Sequence, residues 1–275
     1  MYTFNCKGRL LTWDEPIVMG IINITPDSFY SGSRIQTGTA LLSAVEKMLK
    51  EGARLLDIGG MSTRPAATEI SPDEELKRII PAIESIARNF PEAFISVDSY
   101  RLEVVRNALA AGACMINDIS GGNLPGMPDL AAELSVPYIC MHIRGTPQTM
   151  QKLTHYDDLV QEVLDYFIQR KAAYIERGVK DIIIDPGFGF AKNKDQNFQL
   201  LKGLSALRIL GLPILAGLSR KSSIYKTLGT SPEEALNGTT VLNTLALHNG
   251  ASILRVHDVK ESIEVIKLWT SYVNS

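Results

Sequence analysis

One segment shows the repeating unit of this sequence in its clearest form: Ile182-Ile183-Ile184-Asp185-Pro186-Gly187-Phe188-Gly189. A short apolar run bounded by Pro and Gly is typical of a strand that is buried on both faces of a parallel sheet. A carboxylate at the end of such a strand is costly if it is buried without a partner. We therefore expect Asp185 either to pair inside the protein or to bind a ligand.

The same succession of an apolar run and a polar residue recurs along the chain. The predicted strands are residues 17–23, 55–60, 94–97, 115–119, 138–142, 182–185, 214–218 and 252–256, and a helical pattern follows each of them. Repeated strand–helix units give parallel sheets with right-handed crossovers. Eight units favour an α/β fold, a (β/α)8 barrel that forms a single domain over residues 1–275, since such barrels have about 250 residues. An open doubly wound sheet is the alternative.

The remaining sequence features limit the class of protein. Residues 2–6 and 9–13, joined by Lys7-Gly8, predict a short N-terminal β-hairpin. The formal charge is −2 without a basic stripe, which argues against nucleic acid as a partner. No apolar run reaches the roughly 18 residues of a membrane span, and residues 1–6 have no signal-peptide layout. The three cysteines form no CxxC pair, so neither zinc nor a disulfide framework is indicated. We expect a cytoplasmic protein.

Polar residues stand at the carboxyl ends of the predicted strands, where barrels of this kind have their functional face. They are Asn23, Asp57, Asp98, Asn117, Asp118, His142, Asp185, Lys221, Arg255 and His257. Closure of a barrel would gather these ends around one pit. Asp57 and Asp118 could instead cap local loops or pair with Arg64 and a nearby amide, and His142 is expected to be a structural hydrogen-bonding residue.

Three of these residues suit the edge of a flat heterocycle. Asp98 and Asp185 only accept hydrogen bonds when they are ionised, whereas Asn117 both donates and accepts. A carboxylate that faces a ring N–H and an exocyclic amine forms two parallel charge-assisted bonds. The sequence therefore predicts a ligand with amidine-like edges.

A second group suits a phosphate. Arg255 and His257 follow the eighth strand, where barrels often bind phosphate, and Asn23 would be their neighbour. Two cations with an oxygen ligand fit a phosphate that is carried with Mg²⁺. The chain has no Walker loop and no GxGxxG, so it lacks the standard nucleotide fingerprints.

Eight segments in this order resemble the dihydropteroate synthase family, and the resemblance covers residues 18–259. The segments are residues 23–29, 57–65, 96–98, 116–122, 141–147, 185–190, 219–222 and 255–258. The resemblance implies a folate-pathway transferase that joins 4-aminobenzoate to the methylene of 7,8-dihydropterin-6-ylmethyl diphosphate, giving 7,8-dihydropteroate and diphosphate. It also implies Mg²⁺ as cofactor and a homodimer.

The resemblance further implies roles for individual residues. The pterin would be bound by Asp98, Asn117, Asp185, Lys221 and Arg255. The diphosphate would be bound by Asn23, Thr63, Arg64, Arg255 and His257, with Asn23 as the metal ligand. The 4-aminobenzoate would be bound by Phe29, Pro65, Phe190 and Ser222. The catalytic residues would be Asp98, Asp185, Lys221 and Arg255.

One departure from the family pattern concerns the first loop. Ser31-Gly32-Ser33 stands where the family usually has Asp-Gly-Gly, which puts in doubt any contribution of that acid to loop closure or to the metal. Three alternative functions stay open. They are a pterin-dependent methyltransferase, an aldolase that uses Lys221 as a Schiff-base nucleophile, and a pterin-binding protein without catalysis.

Overall fold

The chain begins with an antiparallel hairpin of strands β1 (Tyr2–Cys6) and β2 (Arg9–Trp13), in a computed structural model that describes residues 1–24, 34–61 and 69–275. Tyr2 pairs with Trp13 and Cys6 with Arg9, so Lys7 and Gly8 form the turn. Both turn residues have positive φ, 54° and 86°, and glycine adopts this conformation at little cost. The predicted hairpin is confirmed.

Eight parallel strands follow. They are β3 (Ile17–Asn23), β4 (Leu55–Gly59), β5 (Phe94–Asp98), β6 (Met115–Asp118), β7 (Tyr138–Met141), β8 (Ile182–Asp185), β9 (Leu215–Ala216) and β10 (Ile253–Val256). Their order in the sheet is β8-β7-β6-β5-β4-β3-β10-β9. A parallel bridge between Ile184 and Ile214 joins the two ends of this order. The strands therefore form the predicted barrel and not an open sheet.

Helices surround the barrel. In the described part of the chain they are α1 (Arg34–Glu51), α2 (Pro72–Asn89), α3 (Leu102–Ala111), α4 (Met127–Leu134), α5 (Leu159–Glu176), α6 (Lys194–Lys202), α7 (Ser222–Leu228), α8 (Leu236–His248) and α9 (Val259–Val273). Ser71 caps α2 by accepting from the N–H of Glu74, as its sequence predicts. None of the helices in this part of the chain is long and apolar enough to cross a membrane.

The predicted helix over residues 195–210 is in fact two elements. Helix α6 ends at Lys202, and a 3₁₀ helix follows over Leu204–Leu210. Gly203 separates them at a point of close packing, because a Cβ there would lie 2.5 Å from Cγ2 of Val160. The sequence pattern missed this break because the apolar spacing continues across it.

The alternation of side chains along each strand decides what faces the inside of the barrel. In β8, Ile182 and Ile184 belong to the core between sheet and helices, whereas Ile183 belongs to a second cluster inside the barrel. Asp185 has the same parity as Ile183 and therefore points inward. The same alternation directs other polar side chains of the strands inward: Asn23, Asp57, Asp98, Asn117 and Arg255.

The hairpin closes the amino-terminal end of the barrel. Phe4, Leu11 and Trp13 are almost fully buried and share the inner cluster with residues such as Met19 and Ile183. Burial of large apolar side chains of this kind stabilises the fold by roughly 1.5–3 kcal/mol each. With this end filled, a ligand pocket is found at the carboxyl end of the barrel.

Candidate active site

A pocket opens at the carboxyl end of the strands and has about 360 Å³ of space, including space open to solvent. It is lined by Asp98, Asn117, Ile119, Met141, Asp185, Phe188, Phe190, Gly217, Lys221 and Arg255. All five side chains predicted for pterin binding are in this set. The barrel thus brings these five side chains together from five strands or the loops that follow them, as predicted from the sequence.

Arg255 is the centre of a buried network on the pocket floor. Its Nε donates to Oδ2 of Asp57 at 2.6 Å, and its terminal nitrogen NH2 donates to Oδ2 of Asp98 at 2.6 Å. Asn117 donates from Nδ2 to the same Oδ2 of Asp57 at 2.8 Å. Burial opposes the charge of Arg255, but the two carboxylates still raise its pKa above the ordinary value. The guanidinium therefore stays charged and holds a fixed orientation.

Asp98 is close to a change of protonation state near neutral pH. Burial raises its pKa to about 7, although the guanidinium of Arg255 opposes that shift. The negative charge of Asp57 adds to the shift because like charges disfavour one another. An ionised Asp98 pairs with Arg255, whereas a protonated Asp98 would weaken that pair.

The two oxygens of Asp185 have different surroundings. Oδ1 accepts a hydrogen bond from the N–H of Gly187 at 2.8 Å. Oδ2 faces the side of Gly217, 3.9 Å from the position that a Cβ would take there. Burial raises the pKa of Asp185, while the N–H of Gly187 and the charge of Lys221 favour the ionised form. One oxygen is thus held by the backbone, and the other is directed at the pocket.

The aromatic side of the pocket is formed by the loop after β8. Phe190 is 7% exposed, and Nζ of Lys221 lies 4.6 Å from the centre of its ring. An ammonium over a ring face is attracted by the ring's quadrupole. Gly189 has a φ of 83°, and a Cβ at this position would lie 3.4 Å from Cδ of Lys221. The pocket therefore combines an acidic floor, a cation and an apolar wall.

His257 differs from the expectation that it supplies a positive charge. Its Nδ1 lies 3.0 Å from Oγ of Ser219, and the same Oγ accepts from the backbone N–H of His257 at 3.2 Å. Desolvation, together with the charge of Arg255, lowers the pKa of His257 to about 4. At neutral pH His257 is thus an uncharged hydrogen-bonding group, and it is not part of the pocket lining.

Asn23 suits a metal that is held mainly by a ligand's phosphates. It occupies the last position of β3, partly buried and opposite Gly59 of β4. Mg²⁺ often takes only one or two protein oxygens and completes its octahedron with waters and phosphates. No group of three His, Cys, Asp or Glu side chains that could hold a metal occurs in residues 1–24, 34–61 and 69–275. The amide oxygen of Asn23 therefore suits an ion that is shared with the phosphates of a ligand, rather than an ion held by protein side chains alone.

The other residues predicted for the substrates are either outside the described residues or outside the pocket lining. Phe29, Thr63, Arg64 and Pro65 fall outside the described residues. Ser222 is exposed at the first position of α7 and is not part of the pocket lining.

Asp118 and His142 have structural roles. Asp118 accepts from the N–H groups of Ser120 and Gly122 and from the hydroxyl of Tyr138, at 2.8, 2.9 and 2.6 Å. It thus caps the loop after β6, which was one of the two roles considered for it. His142 is 3% exposed and contacts Nζ of Lys192 at 3.0 Å, as expected of a structural hydrogen-bonding residue.

Part of the site was not predicted from the sequence. Asp57 was expected at a strand end, with a loop cap or a pair with Arg64 and a nearby amide as the alternative; it accepts from the side-chain amide of Asn117 and from Arg255, and so orients both. Strand parity could have revealed it, because Asp57 alternates with Leu56 in β4 and so points inward. Met141 lines the pocket for the same reason. The burial of Lys192 had no signal in the sequence.

Comparison with known proteins agrees with this geometry. The family model described as pterin binding enzyme matches residues 19–257. The dihydropteroate synthase of Escherichia coli (strain K12) is 43% identical over 267 residues, which are 95% of this chain and 93% of that protein.

Two solved structures from Xanthomonas albilineans are also similar. Dihydropteroate synthase with 4-aminobenzoic acid has a TM-score of 0.92 and 43% identity, over 99% of this chain and 98% of that one. The complex with 7,8-dihydropteroate has a TM-score of 0.89 and 40% identity, over 100% of both chains. The chain therefore belongs to the dihydropteroate synthases, a family of pterin-binding transferases in folate biosynthesis.

Proposed function

We propose that this enzyme transfers the 7,8-dihydropterin-6-ylmethyl group from its diphosphate to the amine of 4-aminobenzoate, releasing diphosphate and 7,8-dihydropteroate. The observation that carries the proposal is the pocket in which the acceptors Asp98, Asn117 and Asp185 meet the cations Lys221 and Arg255. The relative that was solved with 7,8-dihydropteroate supports the same product.

The pterin is bound by its polar edge. Oδ2 of Asp185 accepts from the ring N–H or the exocyclic amine, because Oδ1 is already held by Gly187. Asn117 contributes both a donor and an acceptor, and its position is set by Asp57. Arg255 lies along the face of the ring, where a planar guanidinium can stack. Its two carboxylate partners keep it in that plane.

The negative charge of the leaving diphosphate is stabilised at the side of the pocket formed by β3 and β10. His257 donates a hydrogen bond, and Arg255 supplies positive charge. Asn23 offers the oxygen that would hold Mg²⁺, and the ion when bound supplies further positive charge to the diphosphate. Thr63 and Arg64 join this group by resemblance alone.

Departure of the diphosphate leaves positive charge on the pterin side of the breaking bond, and the electron-rich dihydropterin ring shares it. Asp98 and Asp185 stabilise that charge from the floor of the pocket. The weakly basic aromatic amine then forms a bond to the methylene carbon and releases its proton to solvent, so we assign no general base. Lys221 is held beside Phe190 at the junction of the two substrates.

The 4-aminobenzoate lies against Phe190, which forms the apolar wall of the pocket. Its carboxylate is placed near Ser222, the first residue of α7. Phe29 and Pro65 complete this subsite by resemblance. The similar structure that was solved with 4-aminobenzoic acid supports this choice of second substrate.

Features outside the pocket bear on the oligomeric state and the location of the enzyme. We propose a homodimer, which is supported by exposed apolar side chains on the adjacent helices α8 and α9, such as Val241, Leu245 and Leu268. We propose a cytoplasmic location, which is supported by the three cysteines, all of them free and buried. Sedimentation analysis would test the oligomeric state.

The deciding experiment measures diphosphate release with and without 4-aminobenzoate and Mg²⁺. The proposal requires release that depends on both, together with formation of 7,8-dihydropteroate. Pterin binding without release would instead indicate a binding protein. Transfer of a methyl group would indicate a methyltransferase, and borohydride trapping of a carbonyl substrate on Lys221 would indicate an aldolase.

A further inference from the structure

Lys192 is a buried cation that the proposed mechanism does not use. It lies in the loop after β8 and is 4% exposed. Its ammonium has three contacts: the carbonyl oxygens of Gly187 at 3.1 Å and Phe190 at 3.0 Å, and Nδ1 of His142 at 3.0 Å. An ammonium has three N–H donors, so this set of acceptors uses all of them.

His142 accepts one of these hydrogen bonds because its ring is neutral. Burial and the charge of Lys192 lower the pKa of His142 to about 2. An uncharged ring whose Nδ1 faces an ammonium carries its own proton on Nε2. The contact therefore ties the loop after β7 to the loop after β8. A hydrogen bond from the N–H of His142 to the carbonyl of Asp185, at 2.8 Å, strengthens this link.

The loop that Lys192 anchors has an unusual backbone. Gly187, Gly189 and Ala191 have φ values of 71°, 83° and 49°, all in the left-handed region. Ala191 is fully buried and has no glycine freedom, so its conformation depends on the surrounding contacts. The ammonium of Lys192 binds the carbonyls at both ends of the segment from Gly187 to Phe190.

This segment carries parts of both proposed substrate pockets. The N–H of Gly187 holds Oδ1 of Asp185, and the ring of Phe190 contacts Nζ of Lys221. The positive charge of Lys192 also favours the ionised form of Asp185, as a buried cation near a carboxylate does. Lys192 therefore affects the position of the loop and the charge of the pterin ligand.

We propose that Lys192 is a positioning residue of the transfer reaction: it holds the loop after β8 so that Asp185 meets the pterin edge and Phe190 walls the aminobenzoate subsite. The inference rests on the proposed function, since it concerns the same two subsites. Lys192 itself does not line the pocket, so its effect passes through Gly187 and Phe190.

Steady-state kinetics of two variants tests this. Lys192→Met removes the donors and the charge at similar volume, whereas Lys192→Gln keeps amide donors without charge. We expect the methionine variant to raise KM for both substrates about tenfold or more, with kcat per folded enzyme changed much less. In the glutamine variant, KM for 4-aminobenzoate should rise less than in the methionine variant, because the amide still donates hydrogen bonds to the loop. Lys171→Met is the matched control, because Lys171 donates to the carbonyl of Leu210 on the outer face of the barrel.

The pH dependence separates positioning from loss of stability. The charged and titratable groups around Lys192 are Asp185, Arg144, Lys221 and His142. Removal of the ammonium should raise the pKa of Asp185, so at acidic pH both Lys192 variants should lose more pterin affinity than the wild type, in addition to the loss caused by protonation of Asp98. Wild-type KM values and an unchanged pH profile in Lys192→Met would overturn the proposal.

A measurement on the wild-type protein covers the case in which the variants do not fold. Burial lowers the pKa of Lys192 to about 7, so one lysine Cε resonance should titrate near neutral pH in ¹³C NMR. Saturating dihydropterin should raise that pKa, because the bound ring holds Asp185 as an anion. A titration unmoved by the ligand would overturn the inference. Inactive wild-type enzyme in the diphosphate assay would instead overturn the proposed function.

Discussion

Replacement of Asp185 by asparagine should separate ligand binding from folding, because its two oxygens have different partners. Oδ1 accepts from the N–H of Gly187 at 2.8 Å, and Oδ2 faces the pocket beside Gly217. In Asp185→Asn the amide oxygen keeps the bond to Gly187. The NH2 group then takes the place of Oδ2, so a donor faces the donors of the pterin edge.

The expected loss follows from the hydrogen bonds involved. A charge-assisted hydrogen bond contributes roughly 1.5–3 kcal/mol, and the variant replaces it with two facing donors. Since each 1.4 kcal/mol is about tenfold, the pterin Kd should rise about 10- to 150-fold. Folding should not suffer, because burial already disfavours the charge of Asp185 and raises its pKa. A neutral amide removes that penalty.

Two measurements check this reasoning. Isothermal titration calorimetry with a dihydropterin gives Kd, and thermal unfolding gives Tm. Asp181→Asn is the control, because Asp181 lies just ahead of β8 at the opposite end of the barrel, where its Oδ2 accepts from the N–H of Asn5 at 2.7 Å. The control should bind like the wild type. Tight pterin binding by Asp185→Asn would refute the assignment of this carboxylate to the pterin edge.

Three further predictions concern the same pocket. Asp57→Asn weakens the acceptor shared by Arg255 and Asn117. Urea denaturation should therefore show a free energy of unfolding that is lower by roughly 1.5–3 kcal/mol. A decrease of less than about 0.5 kcal/mol would contradict the role of Asp57 in this network. Pterin affinity should be highest above pH 7 and fall by up to about tenfold per pH unit below it. The reason is that burial raises the pKa of Asp98 to about 7 and protonation removes the charge of the acceptor. A pterin affinity that does not change with pH in calorimetry would contradict this. Ser222→Ala should raise KM for 4-aminobenzoate and leave pterin affinity unchanged; the opposite pattern would reverse the placement of the two subsites.

Several features of the fold could be predicted from local patterns. The apolar runs marked all eight strands, and the turn at Lys7-Gly8 marked the hairpin, because buried strands and tight turns impose their composition on adjacent residues. The N-cap at Ser71 could be predicted for the same reason. The sequence pattern failed at Gly203, where helix α6 ends and where Val160, a residue on a different helix, leaves no room for a Cβ.

The polar residues of the site could be predicted as a set, but their pairing could not. Each lies in the carboxyl-terminal part of a strand or in the loop that follows it, and all parallel strands of a barrel end at the same face. Which acid meets which cation depends on inter-strand register and on closure across the pit. The pairs of Arg255 with Asp57 and Asp98 join residues 198 and 157 positions apart, respectively.

The protonation states of the site residues could not be predicted from the sequence either. His257 was expected to be a cation beside a phosphate, yet desolvation and the nearby Arg255 lower its pKa to about 4. The charge of a titratable group depends on its distance to other charges and to water, and its neighbours in the sequence determine neither distance.

The sequence by itself determined the eightfold succession of strand and helix and the presence of polar groups at one end of every strand. Both follow from side-chain periodicity and chain-neighbour chemistry. The tertiary structure alone decided that Asp57 holds Arg255, that Asp185 keeps one oxygen for the pocket, and that Lys192 of the loop after β8 is buried. These contacts arise only when the barrel closes, because closure brings distant strand ends within hydrogen-bonding distance and excludes water from between them.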